Sequence, residues 1–157
     1  MDERAVLIAY LEKQRGHVRA SLEGLDDNAA RRAPLPSGWS LLGAVHHLAL
    51  DVERFWFRWV MAGEGVRLAD DAWQVPGRET LATVLDLYER ECRAADAVIA
   101  AMSLEARPLQ WRDAWGPCHV ENLRDALLHV ITETATHAGH LDAARELIDG
   151  RQNLVLE

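Results

Sequence analysis

Hydrophobic and polar positions alternate along most of this chain with the period of an α-helix, and the pattern resolves into four long amphipathic stretches. In the first, from about Glu3 to Leu25, Val6, Tyr10, Gln14, Val18 and Leu22 follow at four-residue steps, and Leu7, Leu11 and Leu25 widen the stripe. Ser40 opens the second. There Leu41, Val45, Leu48, Val52, Phe55 and Trp59 share one face, extended by Leu42, Ala49, Trp56 and Val60. His46 and His47 fall on opposite borders of that face, and periodicity does not choose between them. The third stretch, about Thr80 to Met102, carries Leu81, Val84, Leu85, Tyr88, Cys92, Ala95, Val98, Ile99 and Met102 on one side and charges on the other. The fourth, Asn122 to Gly150, sets Leu123, Leu127, Val130, Ile131, Thr134, Ala138, Leu141 and Ile148 in one stripe. Asn122 with Asp125 three residues on resembles a capping start, and Gly150 is a natural stop.

Helix-breaking segments separate these stretches. Gly24 to Gly38, with Asp26, Asp27, Asn28, Pro34 and Pro36, reads as a connecting loop. Gly63 to Gly77, with Gly65, Trp73 and Pro76, is long enough to suggest a lid or pocket wall. Arg107 to Val120 reads as an irregular crossover around Pro108, Trp111, Trp115, Gly116 and Pro117. With no convincing strand alternation and no internal repeat, the expected fold is all-α, a four-helix bundle in a single domain over residues 1–157. A hydrophobic content of 49% is enough to bury one core in a chain of this length. The loops leave the bundle topology open.

Charge and cysteine usage narrow the function classes. A formal net charge of -8 argues against a nucleic-acid surface, which needs clustered cations to displace counterions from phosphates. Two cysteines, Cys92 and Cys118, are too few for a disulfide framework and suit a reducing compartment. Charges from Asp2 onward and the absence of an apolar run of eighteen give no sign of a signal peptide or membrane span, so the cytoplasm is the expected location.

The candidate chemistry lies on the fourth stretch, where His129, Glu133, His137 and His140 form a polar stripe along the edge of the apolar one. Glu133 and His137 are one turn apart, the spacing that lets two side chains of one helix grip the same ion. His137 with His140 is a competing pair at i+3, and helical angle alone does not separate the two. A histidine at a helix border is more often an ordinary surface or packing residue than a ligand. His17 and His119 show no partner in the sequence. Phe55, Trp56, Phe57 and Trp59 read chiefly as core, with Trp56 or Trp59 able to border a ligand pocket or a dimer contact. Arg54 and Arg58 share the flank of His47 and Asp51. That flank can bind a carboxylate of a ligand, or it can be a solvated salt-bridged face.

Two phrases carry a family resemblance: PSGWSLLGAVHHLALDVERFWFRW, from Pro36 to Trp59, and HVITETATHAGHLDAARELIDG, from His129 to Gly150. They resemble the DinB-like four-helix-bundle proteins, in the branch near mycothiol-dependent maleylpyruvate isomerase, and the likeness runs over nearly the whole chain. It implies a divalent metal, often zinc, held by the His of a helix-two "HL" pair and by the Glu and His of E-x-x-x-H on the last helix. The matching residues here are His47, Glu133 and His137, with His46 left facing solvent. Two imidazoles and one carboxylate suit Zn²⁺ and leave a fourth position open. His140 is then the neighbour that donates a hydrogen bond or takes a proton from an incoming thiol, the catalytic role on this reading.

The implied function is a metal-dependent thiol S-transferase that activates mycothiol or a similar small thiol for attack on a small electrophile. A non-catalytic metal-binding or ligand-sequestering bundle is the alternative, and a metal-dependent hydrolase is a weaker third. The expected partners are the thiol and the electrophile, with neither nucleic acid nor membrane, and a homodimer as a further candidate. Neither Cys92, on an apolar stripe, nor Cys118, in the crossover, looks like an activated nucleophile.

Overall fold

The computed structural model describes residues 2–153; Met1 and residues 154–157 of the expected domain lie outside that range. The chain is 64% helix, without a strand among the described residues. Helix α1 spans Glu3–Leu22 and starts where the Asp2 side chain accepts the Ala5 N–H at 2.8 Å. Within the stretch read as a loop, Asp26 caps a five-residue helix, α2, at Asp27–Arg31. Helix α3, Leu41–His47, is capped by Ser40 and runs directly into a π-helical segment, Leu48–Met61. Helix α4, Leu81–Ala101, opens with a reciprocal Thr80/Thr83 capping box. After a single 3₁₀ turn at Asp113–Trp115 comes α5, Leu123–Asp149, bounded by Asn122 and by Gly150 in the left-handed conformation at φ 79°. The long helices therefore begin and end close to where their capping residues predict.

The four long helices make a bundle in which α1 packs on α5, α5 on the π segment, and the π segment on α4. The remaining seam, between α1 and α4, is bridged by long side chains. Arg4 donates to the backbone oxygens of Ile99 and Met102, Arg15 to Asp96, and Arg19 pairs with Glu89 at 3.2 Å. This seam changes the face α1 presents. The expected line through Val6, Tyr10 and Gln14 is not the core line: Val6 and Tyr10 are exposed, while Leu7, Leu11, Arg15, Val18 and Leu22 are buried. A four-residue step starting one position later brings a charged residue into the core. Sequence hydrophobicity penalises that choice unless its partner is known.

The partner is Glu53, made available by a change of winding that the sequence did not reveal. A single α-helix was expected from Ser40 onward. After His47 the hydrogen bonds step to i→i+5, as where the Ala62 N–H reaches the Phe57 oxygen at 3.0 Å. On an α-helical wheel Phe57 and Met61 would sit ~160° from Leu41, on the far side of the helix. The wider turn rotates each residue by less, so Ala49, Glu53, Phe57 and Met61, at four-residue steps, line up inward and are all fully buried. Phe55, expected on the core face, is turned aside and is only half-buried. Glu53 meets Arg15 in a two-pronged pair, Nε to Oε1 at 2.8 Å and Nη2 to Oε2 at 2.6 Å. Around that pair, burial pushes the Cys92 thiol and the Tyr88 hydroxyl up, which makes both inert at neutral pH.

Removing one member strands the other charge in a dry core. Glu53→Ala should cost ~3–5 kcal/mol in urea unfolding, while Arg15→Met combined with Glu53→Leu should recover most of it. A single-variant loss under ~1 kcal/mol would show that the pair is not the tie between α1 and the π segment.

Candidate metal centre

His47 is the last residue before the winding changes, and it faces α5. There Glu133 and His137, one turn apart, meet it, so that one donor atom from each of the three residues lies within 4.8 Å of the others. His137 Nε2 stands 3.7 Å from Glu133 Oε2, and the rings of His47 and His137 are 5.0 Å apart and nearly perpendicular. All three side chains are partly shielded. His47 Nδ1 donates to Asp51 Oδ2 at 3.0 Å, which fixes the ring and its tautomer and leaves Nε2 free as a donor atom. Burial is the first cause that lowers the His137 pKa, with the neighbouring His47 the second. A lowered pKa keeps the ring neutral, the form in which imidazole ligates a cation. Two imidazoles and a carboxylate that converge, with His47 oriented by Asp51, fit a divalent cation of the zinc type.

The long loop after the π segment roofs this cluster. The Trp73 ring stacks on His47 at 4.4 Å with 15° between planes and lies 5.4 Å from His137. Two contacts hold the loop down. His46, expected to face solvent, is half-buried and donates from Nδ1 to the Ala72 carbonyl at 2.6 Å. Gly43 lets the backbone pass so close that a Cβ there would meet the Trp73 oxygen at 2.6 Å. The two adjacent histidines thus divide the work, His47 to the cluster and His46 to its cover. A pocket wall in this loop was expected, but Trp73 itself was not singled out. Its position inside a long loop opposite the histidine pair was the available signal.

His140 sits beside the cluster, 5.6 Å from the His137 ring and 6.2 Å from that of Trp39. His129 is one turn before Glu133, in an aromatic layer with Trp56 at 4.5 Å and His119 at 5.3 Å, and burial lowers its pKa. That layer continues through Phe55, Trp59, Trp111 and Trp115. The crossover is pinned against it by the Leu109 and Gln110 N–H groups, which both donate to the Val60 carbonyl. Trp56 and Trp59 are buried within the chain, so as they stand neither offers a dimer contact; Trp56 borders a cavity instead.

Arg54 and Arg58 are drawn elsewhere. Arg54 Nη2 and Arg58 Nη1 grip the two oxygens of buried Glu91 on α4 at 2.7 and 2.9 Å, and Arg58 Nε also reaches Glu64 at 2.7 Å. Burial works against the Glu91 charge, yet the two guanidiniums hold its carboxyl below the usual range. The carboxylate these arginines bind is therefore the chain's own, and neither lines the cavity beside His47 and Glu133. His17, with no partner legible in the sequence, contacts Asp142 Oδ2 at 2.5 Å across the α1–α5 seam.

Fold and cluster together define a helical bundle with a two-histidine, one-glutamate donor set on facing helices, the arrangement in which bundles build metal sites. The chain belongs to the mycothiol-S-transferase family, a DinB-like family whose model matches residues 6–150. No curated protein and no solved structure matched the chain. No helix among the described residues is long and apolar enough to cross a membrane.

A titration follows from the burial of the two imidazoles. In metal-free protein, NMR should give His137 and His129 midpoints below the ordinary ~6.5 of histidine. The unfolded chain then binds protons that the folded rings refuse, so stability should fall as pH drops from that ordinary value toward the depressed midpoints. Midpoints at or above the ordinary value would contradict the shielding described.

Proposed function

We propose that this chain is a metal-dependent S-transferase in which His47, Glu133 and His137 hold a divalent cation, zinc by donor type, while a small thiol such as mycothiol attacks a small electrophile. The observation that carries the reading is the convergence of these three side chains with Asp51 behind His47, within a family named for thiol transfer. When bound, the cation would favour the thiolate over the thiol near neutral pH. The remaining work falls to the chain's own residues. Asp51 keeps the His47 ring aimed at the cluster. Trp73 covers the His47 face and excludes water from that side, which strengthens every charge interaction beneath it. His140 accepts the thiol proton at a ring nitrogen, close to His137 but outside the donor set. No cysteine of the chain is needed as nucleophile: Cys92 is buried with its thiol pushed up. Free Cys92 and Cys118 suit the reducing cytoplasm, where the enzyme would meet its thiol.

Protein purified without a histidine tag should carry close to one divalent ion per chain, lost in His137→Ala. Glu133→Ala should abolish tight binding, whereas His140→Ala should weaken it only ~10–100-fold, the usual effect of losing a neighbour outside the donor set. If those two variants exchange behaviours, the helix-five pair is His137 with His140. Thiol consumption with a halogenated dinitrobenzene should depend on the metal and prefer one cellular thiol. Equal rates for His47→Ala and wild type would remove the enzyme reading.

A further inference from the structure

The donor cluster opens on one side into a cavity of about 380 Å³, a size suited to a small organic molecule. His47, Glu133 and Asp51 form its polar edge, and Val52, Phe55, Trp56 and His129 form its wall. The wall is a corner of rings. Phe55 and Trp56 stand at 86° with centroids 5.1 Å apart, and Trp56 and His129 at 60° and 4.5 Å. Perpendicular rings offer a third ring both a face to stack on and an edge to meet, the two geometries aromatic pairs prefer. A second cavity, of about 490 Å³ beyond Trp73, is lined by Trp39, Trp73 and Val75 together with Arg31, Ser37, Ser40 and Gln74. It too has aromatic walls but carries more hydrogen-bonding groups than the cavity beside His47.

The charge of the cavity beside His47 is as informative as its shape. Two carboxylates, Asp51 and Glu133, border it, and no arginine lines it. The guanidiniums near enough in sequence to serve are engaged elsewhere: Arg54 and Arg58 by Glu91, and Arg112 over the Trp59 and Trp115 rings at 5.6 and 4.7 Å. A ligand's carboxylate would find no guanidinium in this wall and would lie beside the Asp51 charge. A cation held by His47, Glu133 and His137 would engage Glu133 but leave Asp51, which is turned to His47 from behind.

We infer that the electrophile of this site is a flat, uncharged aromatic molecule seated against Phe55 and Trp56, and that Asp51, the carboxylate a bound cation would leave unligated, disfavours carboxylate-bearing electrophiles. The inference rests on the S-transferase reading for the word electrophile, but the cavity's preference is measurable without turnover. The test uses metal-stripped full-length protein and two matched probes, 1,3-dinitrobenzene and 3,5-dinitrobenzoate, followed on the indole N–H signal of Trp56 assigned with Trp56→Phe. Dinitrobenzene should shift that signal saturably, and dinitrobenzoate should bind at least ~10-fold more weakly. Asp51→Asn should narrow the gap ~3–10-fold by improving the acid alone, an effect that mere loosening of His47 does not produce. Phe55→Leu, which keeps apolar bulk at this half-buried position but removes the ring, should weaken dinitrobenzene binding several-fold.

Equal affinity for the two probes overturns the inference, as does dinitrobenzene binding that leaves the Trp56 signal unmoved. The companion reading fails separately. If dinitrobenzene binds at Trp56 and the metal-loaded enzyme still transfers no thiol to a chlorinated dinitrobenzene, the cavity's preference is supported and the transferase assignment falls. If thiol transfer proceeds with acidic electrophiles as fast as with neutral ones, the transferase assignment stands and the inference falls.

Discussion

Everything in this bundle turns on where Glu53 points. A carboxylate in the core is tolerable only with a partner of opposite charge in good geometry, because stripping its hydration costs several kcal/mol that a neutral neighbour does not return. Arg15 is that partner, buried on α1 and held by Nε and Nη2 together. For Glu53 to reach it, the helix after His47 must turn more slowly than an α-helix, and it does so for fourteen residues. That winding brings Phe57 and Met61 into the core. It also swings Phe55 toward the crossover, where it joins Trp59, Trp111 and Trp115. The aromatic wall of the cavity and the salt bridge at the bundle centre are two consequences of one backbone choice.

The site sits at the start of that change of winding, and its parts draw on rigid elements of different kinds. His47 still belongs to a regular α-helix, capped by Ser40 and immobilised by neighbouring buried turns. Its orienting partner Asp51 lies four residues on, past the junction, so the His47–Asp51 contact spans the two windings. Glu133 and His137 come from the middle of a helix of twenty-seven residues, far from its fraying ends. Placing these side chains on facing helices rather than on loops keeps their separation fixed.

Much of this was legible in the sequence, for identifiable reasons. The α5 stripe is legible because Leu123, Leu127, Val130, Thr134, Ala138 and Leu141 are all buried, although Ile131 and Ile148 are only half-buried and the buried charges Asp142 and Arg145 enter its last turns. The trio His47, Glu133 and His137 came from one-turn spacing on α5 together with a resemblance, and the structure brings the three residues together. What the sequence hid were the pairs of charges. Arg15 with Glu53, and Arg54 and Arg58 with Glu91, each put a residue that hydropathy assigns to solvent into the interior. Periodicity scores residues one at a time, whereas a buried ion pair is favourable only as a pair. The same blindness misplaced the core line of α1 on Val6 and Tyr10. His46 was missed for a related reason, since its acceptor is a loop carbonyl that no side-chain pattern encodes.

The roof joins these two levels. A loop of this length normally pays its ordering entropy from its own packing. Here it leans on the helix that carries His47: the Ala72 carbonyl accepts a hydrogen bond from His46, the Trp73 ring lies on His47, and Gly43 leaves room for the Trp73 backbone. Three roles, clearance, clamp and stack, thus fall on α3 and fix the loop by contacts that also fix the His47 ring. The stacking plane of Trp73 and the Nδ1 bond to Asp51 constrain the same imidazole from two directions, one setting its tilt and the other its tautomer. A ring so held has its Nε2 direction decided by the fold. The cost of arranging the donor is therefore met when the chain folds rather than when the site is used, and this preorganisation is what a half-exposed three-residue site on a bundle surface otherwise lacks.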